Sequence, residues 1–154
     1  MLLFKKVIKK LLTKNITISV AESCTGGLLS SIITSEAGVS KIFNMGLITY
    51  SNKSKSDLLK IKSSNLKKYG SVSYQIAKLM VINLQKLSNS NLCISTTGIA
   101  GPSGGTKTKP KGLVFIGIYF NDNLTIIKKK FNGSRNQIQK KTVKTIFTIL
   151  EKLI

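Results

Sequence analysis

The spacing of apolar residues changes period several times along this chain, and each change predicts an element. Over the first 14 residues, "MLLFKKVIKKLLTK", Leu3, Phe4, Val7, Ile8, Leu11 and Leu12 recur at helical spacing with lysines between them. This stripe predicts a helix packed on a core with a solvated lysine face; a helix lying on a membrane surface is the other reading of the pattern. "TISVA" (17–21) is a short apolar strand running straight into "ESCTGG", and a helix follows over 28–35. "NMGLITYS" (44–51) predicts a second strand. Ser73 is placed to cap a helix reaching Leu87, with Ile76, Ala77, Met80, Leu84 and Leu87 on its buried face. "LCISTT" (92–97) is a third strand. "GLVFIGIYF" (112–120) and "LTIIKKK" (124–130), separated by "NDN", form a hairpin. A last helix runs from Ser134 to the C-terminus with Ile138, Ile146, Ile149, Leu150 and Leu153 inward. Helices alternating with strands, some wholly apolar, predict a three-layer α/β/α sandwich with a mixed, mainly parallel central sheet, as one domain over 1–154.

Composition narrows the chemistry. Apolar residues make up 42% of the 154, enough for a buried core. No apolar run approaches the roughly 18 residues of a membrane span. The lysine-interrupted N-terminus lacks the apolar centre of a signal peptide, so a cytoplasmic location is expected. There is no histidine, and there are two cysteines and five acids, so a zinc or two-metal site would have to be improvised and no cofactor is expected. Cys24 and Cys93 are too few for a disulfide framework.

The net charge of +20 raises nucleic acid as a partner. Against it, all but one of the 25 cations are Lys, spread along the whole chain with no aromatic-interleaved stripe. Abundant Lys, Asn, Ile and Ser fit compositional drift toward AT-rich codons, and nucleic acid is not the expected partner. A field of this sign still attracts anionic metabolites and lowers lysine pKa values.

Three loops follow strand ends, where open α/β sheets place their sites. "AESCTGG" (21–27) leads into a helix N-terminus whose N–H groups can hold an anion, or is only a tight turn capped by Ser23 or Thr25. "TGIAGPSGG" (97–105), with four glycines in eight residues, forms a nest of backbone donors or a flexible connection, and fits neither the P-loop nor the dinucleotide spacing. The third loop combines "AGVSK" (37–41) with "ITYSNKSK" (48–55). Without histidine, Ser-His-Asp and Cys-His arrangements are excluded, and a Ser–Lys pair survives. Lys55 is then either a base with a lowered pKa or a surface lysine. Cys24, at a helix N-terminus, is either a rival nucleophile or a buried structural thiol.

Taken together, "AESCTGG", "AGVS", "TYSN" with Lys55, "YGSVS" (69–73), "TGIAGPSGG", "KPKG" (109–112) and "FNGSR" (131–135) resemble, in order and over nearly the whole chain, the CinA C-terminal domain family of nicotinamide-nucleotide amidases. The resemblance implies hydrolysis of nicotinamide mononucleotide to nicotinate mononucleotide and ammonia in pyridine nucleotide salvage, by a Ser–Lys dyad. By position it implies Ser40 as nucleophile, Lys55 as base and Tyr50 beside them as orienter or relay, with Lys53 left on the surface. It also implies hydroxyls from Ser23, Thr25 and Thr97 in the pocket. The backbone of Gly98, Ala100 and Gly101, with Arg135, would meet phosphate or ribose. A homodimer is implied too, with the N-terminal helix as one candidate interface. The sequence departs from the family pattern at Val39, where a serine is common, at Ser103, where an acid is common, and at Gln139, where a second arginine is frequent. A non-catalytic, nucleic-acid-binding or competence-related module on the same fold is the alternative.

Overall fold

The computed structural model describes residues 2–154. Five strands, β1 (Ile18–Glu22), β2 (Phe43–Ile48), β3 (Leu92–Gly98), β4 (Leu113–Phe120) and β5 (Asn123–Lys130), form one sheet in the order β2-β1-β3-β4-β5. β1 lies parallel to both neighbours, while β3–β4 and β4–β5 are antiparallel. The sheet is thus mixed: its parallel part is β2-β1-β3, and the hairpin supplies the remainder.

Helices cover both faces. On one, α1 (Leu2–Thr13), α2 (Leu28–Thr34) and α6 (Arg135–Leu153) bury Val7, Ile8, Leu11, Leu29, Val143 and Ile146 against Ile18, Val20 and Ile94. On the other, α5 (Tyr74–Ser88) buries Ile76, Met80, Val81 and Leu84 against Ala21 and Cys93, joined by Leu59 and Leu66 from α3 (Asn52–Leu59) and α4 (Ser63–Tyr69). Every residue of β1 is fully buried, including Ser19 and Glu22. A strand covered on both faces has no polar-out alternation to show.

The cap expected at Ser73 is present, and Ser134 caps α6 in the same way: each side chain accepts from the backbone N–H three residues on. The NDN turn is tight, with Phe120 paired to Asn123 and both Asn121 (φ 49°) and Asp122 (φ 61°) left-handed, the geometry a two-residue hairpin demands. Leu87 and Leu153 differ from expectation, 53% and 45% exposed, because each sits in the last turn of its helix, beyond the covered core. Val81 and Phe147 take the inward places instead. The apolar stripe of α1 is consumed within the chain, where Phe4 packs on Phe147 with ring centroids 4.6 Å apart, leaving mainly lysines outward. Among the described residues no helix is long and apolar enough to cross a membrane.

Candidate active site

Parallel pairing of β1 with β2 and β3 brings the C-terminal ends of these strands to one sheet edge, and the loops leaving them enclose a cleft of about 450 Å³. The "AESCTGG" turn forms its floor. Glu22, the last residue of β1, accepts from the N–H groups of Gly27 (3.0 Å), Leu29 (3.0 Å) and Ser30 (2.7 Å), and from the Ser30 hydroxyl (2.7 Å). A fully buried carboxylate with four donors caps α2 in place of the expected Ser23 or Thr25, and holds the turn rigid. Gly27 makes the turn possible at φ 98°, a conformation that disfavours any side chain.

Ser23 is the first residue past β1, anchored by its N–H to the Thr96 carbonyl at 3.0 Å. Lys55 reaches it from α3. The helix is held at its start by a capping box between Ser51 and Ser54, which fixes the residue one turn on. The Lys55 side chain is 1% exposed; Nζ donates to Ser23 Oγ at 3.0 Å and to the Thr49 carbonyl at 2.7 Å. No acid pairs with it among the described residues. Burial lowers its pKa from 10.5 to about 8, with the nearby Cys24 thiol opposing the shift. Lys53, two residues away, is by contrast solvated and paired with Asp57.

Cys24 also borders the cleft, but burial pushes its thiol up to about 12 against weaker opposing hydrogen bonds, the first of them to Thr96. A buried thiol held in its neutral form fits the structural reading of Cys24 rather than that of a rival nucleophile.

The other walls come from the expected loops. Thr97 Oγ1 donates to the Ser71 carbonyl at 2.6 Å, and Lys109 Nζ to the Tyr69 carbonyl at 2.7 Å, so the 69–73 segment is tied to β3 and to the 105–112 loop. Gly98, Ala100 and Gly101 line the opening. Arg135, at the start of α6, donates from Nη1 to the Gly101 carbonyl at 3.0 Å and from Nη2 to the Tyr50 hydroxyl, its guanidinium 5.9 Å above the Tyr50 ring. The lining carries Lys55, Lys109 and Arg135 and no acid.

Two expected site residues lie elsewhere. Ser40 is exposed in a 3-10 turn (Val39–Lys41) ahead of β2, whereas Lys55 follows that strand. Six strand residues, about 20 Å at 3.3 Å each, separate the two ends, so Ser40 is not the partner of Lys55. Ser23 is. Thr25 is 2% exposed and turned inward, its hydroxyl 2.8 Å from that of Thr96, and does not line the cleft. Tyr50 does line it, 55% exposed, but its hydroxyl meets Arg135 and makes no hydrogen bond to Lys55. Glu22 and Lys109 were missed as site residues. The single acid between a buried strand and a helix start was the available signal for Glu22, and the lysine of the "KPKG" motif was that for Lys109.

The sequence pattern defining the CinA C-terminal domain matches residues 2–154. The chain belongs to this family. A CinA-like protein of Prochlorococcus marinus (strain MIT 9215) is 49% identical over 138 residues, which are 89% of this chain but 32% of that protein. The chain thus spans about a third of the length of the curated relatives it matches. Among solved structures, the competence/damage inducible protein CihA of Agrobacterium tumefaciens superposes with a TM-score of 0.93 at 34% identity, covering 98% of this chain and 93% of that one. The competence damage-inducible protein A of Klebsiella pneumoniae gives 0.92 at 26%, covering 98% and 94%. In this CinA domain Ser103 lines the cleft, whereas Gln139 lies behind it and donates to the Cys24 carbonyl at 2.9 Å.

Proposed function

We propose that this domain is an amidohydrolase that converts nicotinamide mononucleotide to nicotinate mononucleotide and ammonia, with Ser23 as nucleophile and Lys55 as its base. The observation that carries the reading is the contact between a buried lysine with no acidic partner and a serine at the floor of a cationic cleft.

Neutral Lys55 takes the Ser23 hydroxyl proton as Oγ attacks the carboxamide carbon. The resulting oxyanion needs fixed donors, each worth about 2.7–4 kcal/mol. The Lys55 ammonium returns its proton to the leaving nitrogen, the C–N bond breaks and ammonia departs, leaving an acyl-serine and a neutral amine. Water, deprotonated by Lys55, attacks the ester; Ser23 leaves with the proton and nicotinate mononucleotide is released. Arg135, Lys109 and the 98–105 backbone are the groups for the phosphate and ribose, since a fixed bidentate cation beside a glycine-rich loop suits a phosphate.

The test is ammonia release from nicotinamide mononucleotide by wild type, Ser23→Ala and Lys55→Ala. Turnover lost in both variants supports substrate and dyad together; a folded but inert wild type rejects the substrate.

A further inference from the structure

Arg135 is an exposed residue whose side chain is held from two sides of the cleft. Nη1 donates at 3.0 Å to the carbonyl of Gly101, in the loop after β3, and Nη2 donates to the hydroxyl of Tyr50, between β2 and α3. The guanidinium carbon also stands 5.9 Å from the centroid of the Tyr50 ring, within cation–π range. All three residues line the cleft. A guanidinium carries five N–H donors, so two are committed within the described residues and three remain. Both acceptors are neutral, and no ion pair among the described residues includes Arg135. The side chain is thus fixed without being neutralised. An acidic anchor would hold it as firmly but offset its charge.

Tyr50 makes no contact of this kind with the proposed dyad. Lys55 Nζ is hydrogen-bonded to Ser23 Oγ and the Thr49 carbonyl, whereas the Tyr50 hydroxyl is hydrogen-bonded to Arg135. We propose, resting on the reading of the cleft as a mononucleotide site, that Tyr50 determines specificity by acting through Arg135: its ring and hydroxyl hold the guanidinium as a preformed anion site, so that the cleft favours a phosphorylated ligand over its dephosphorylated counterpart. Tyr50 is then a positioning residue for the phosphate contact, and not an orienter or relay for Lys55. An arginine without this hold would lose its rotamer freedom only when the phosphate arrives. That loss is equivalent to about a 2–10-fold change in affinity.

The test uses the full chain with nicotinamide mononucleotide and nicotinamide riboside, which differ by the phosphate alone. Binding is read by calorimetry in the Ser23→Ala background, where turnover does not intervene. Tyr50→Phe keeps the ring and loses the hydroxyl, and should weaken mononucleotide binding about 2–10-fold. Tyr50→Ala loses both contacts and should weaken it about 10-fold or more. Riboside binding should be the same in both variants as in their parent. With Ser23 restored, the loss should appear in KM for the mononucleotide, with kcat within about twofold of wild type. In Arg135→Ala, adding Tyr50→Phe should cost nothing further, because the two side chains act as one unit.

Unchanged mononucleotide affinity in both Tyr50 variants would overturn the proposal. So would equal losses for the two ligands, or a Tyr50→Phe effect that keeps its full size without Arg135. A Tyr50→Phe that lowers kcat at unchanged mononucleotide affinity would return Tyr50 to Lys55 and overturn it too. If the cleft prefers the mononucleotide but wild type releases no ammonia, the amidase reading fails alone, and the binding measurements still judge Tyr50. If the cleft does not distinguish the two ligands, the mononucleotide reading and the proposal fall together.

Discussion

Lys55 Nζ lies 3.0 Å from Ser23 Oγ, although 32 positions separate the two residues in the chain. Parallel pairing of β1 and β2 makes the contact, because each residue follows the C-terminal end of its strand. Ser23→Ala and Lys55→Ala should therefore each lower ammonia release by at least about 10³-fold, the scale expected when one member of a nucleophile–base unit is removed. Ser40→Ala should leave the rate unchanged, since Ser40 lies at the other end of β2 from Lys55. Substantial activity in Ser23→Ala would return attention to the rest of the cleft.

The rate should rise with pH and level off above about 8, the value to which burial lowers the Lys55 amine. A kcat/KM profile flat between about pH 6 and 9.5 would remove Lys55 from the role of base.

The same burial has a stability consequence of definite sign. Between the folded value of about 8 and the ordinary 10.5, the unfolded chain holds a proton that the folded chain lacks. Stability conferred through this group thus rises with pH across that window, and the penalty is full below about pH 8. At about 1.4 kcal/mol per pH unit the gap is worth about 3 kcal/mol. Lys55→Met should abolish activity yet raise the urea midpoint at pH 7, and the advantage should shrink toward pH 10.5. A midpoint that falls at pH 7 would show that the lysine contacts outweigh its desolvation.

Arg135 is the chain's only arginine and touches Gly101 and Tyr50 while facing the cleft. A charged hydrogen bond is worth about 1.5–3 kcal/mol, so Arg135→Ala should raise KM for nicotinamide mononucleotide about 10–100-fold. The effect on nicotinamide riboside, which lacks the phosphate, should be much smaller. Equal losses for both compounds would assign Arg135 to holding the loops alone.

Glu22→Gln swaps one acceptor oxygen for an N–H₂ group facing backbone donors. The expected cost is about 2–4 kcal/mol of folding stability, measured by urea unfolding with an unchanged m-value. A loss below about 0.5 kcal/mol would mean that the capping bonds are replaceable by water.

The strongly periodic segments were legible in the sequence because their apolar stripes meet a large core: α1, α5, α6 and the five strands all fall within a few residues of expectation. Helices α3 and α4 were not, because "NKSKSDLLKIKSSNLKKY" has few inward positions and is held by caps and by contacts of Lys55, Leu59 and Leu66. The cleft loops were legible as motifs, and Tyr50, Lys55, Thr97 and Arg135 do border one cavity. Pairing was the failure. The family resemblance implied Ser40 although the strand predicted over 44–51 already lies between Ser40 and Lys55, whereas Ser23 leaves β1 at the same end of the sheet as Lys55 leaves β2.

The buried amine also makes this domain a gauge of its own local hydration. A histidine base keeps a useful pKa in water, whereas a lysine here does so only while α3 keeps it dry. Any opening of α3 that wets Lys55 returns its pKa toward the ordinary 10.5 and removes the neutral fraction that the proposed chemistry needs, before the fold is lost. Turnover should then decline on heating ahead of global unfolding, with the first turns of α3 setting the difference.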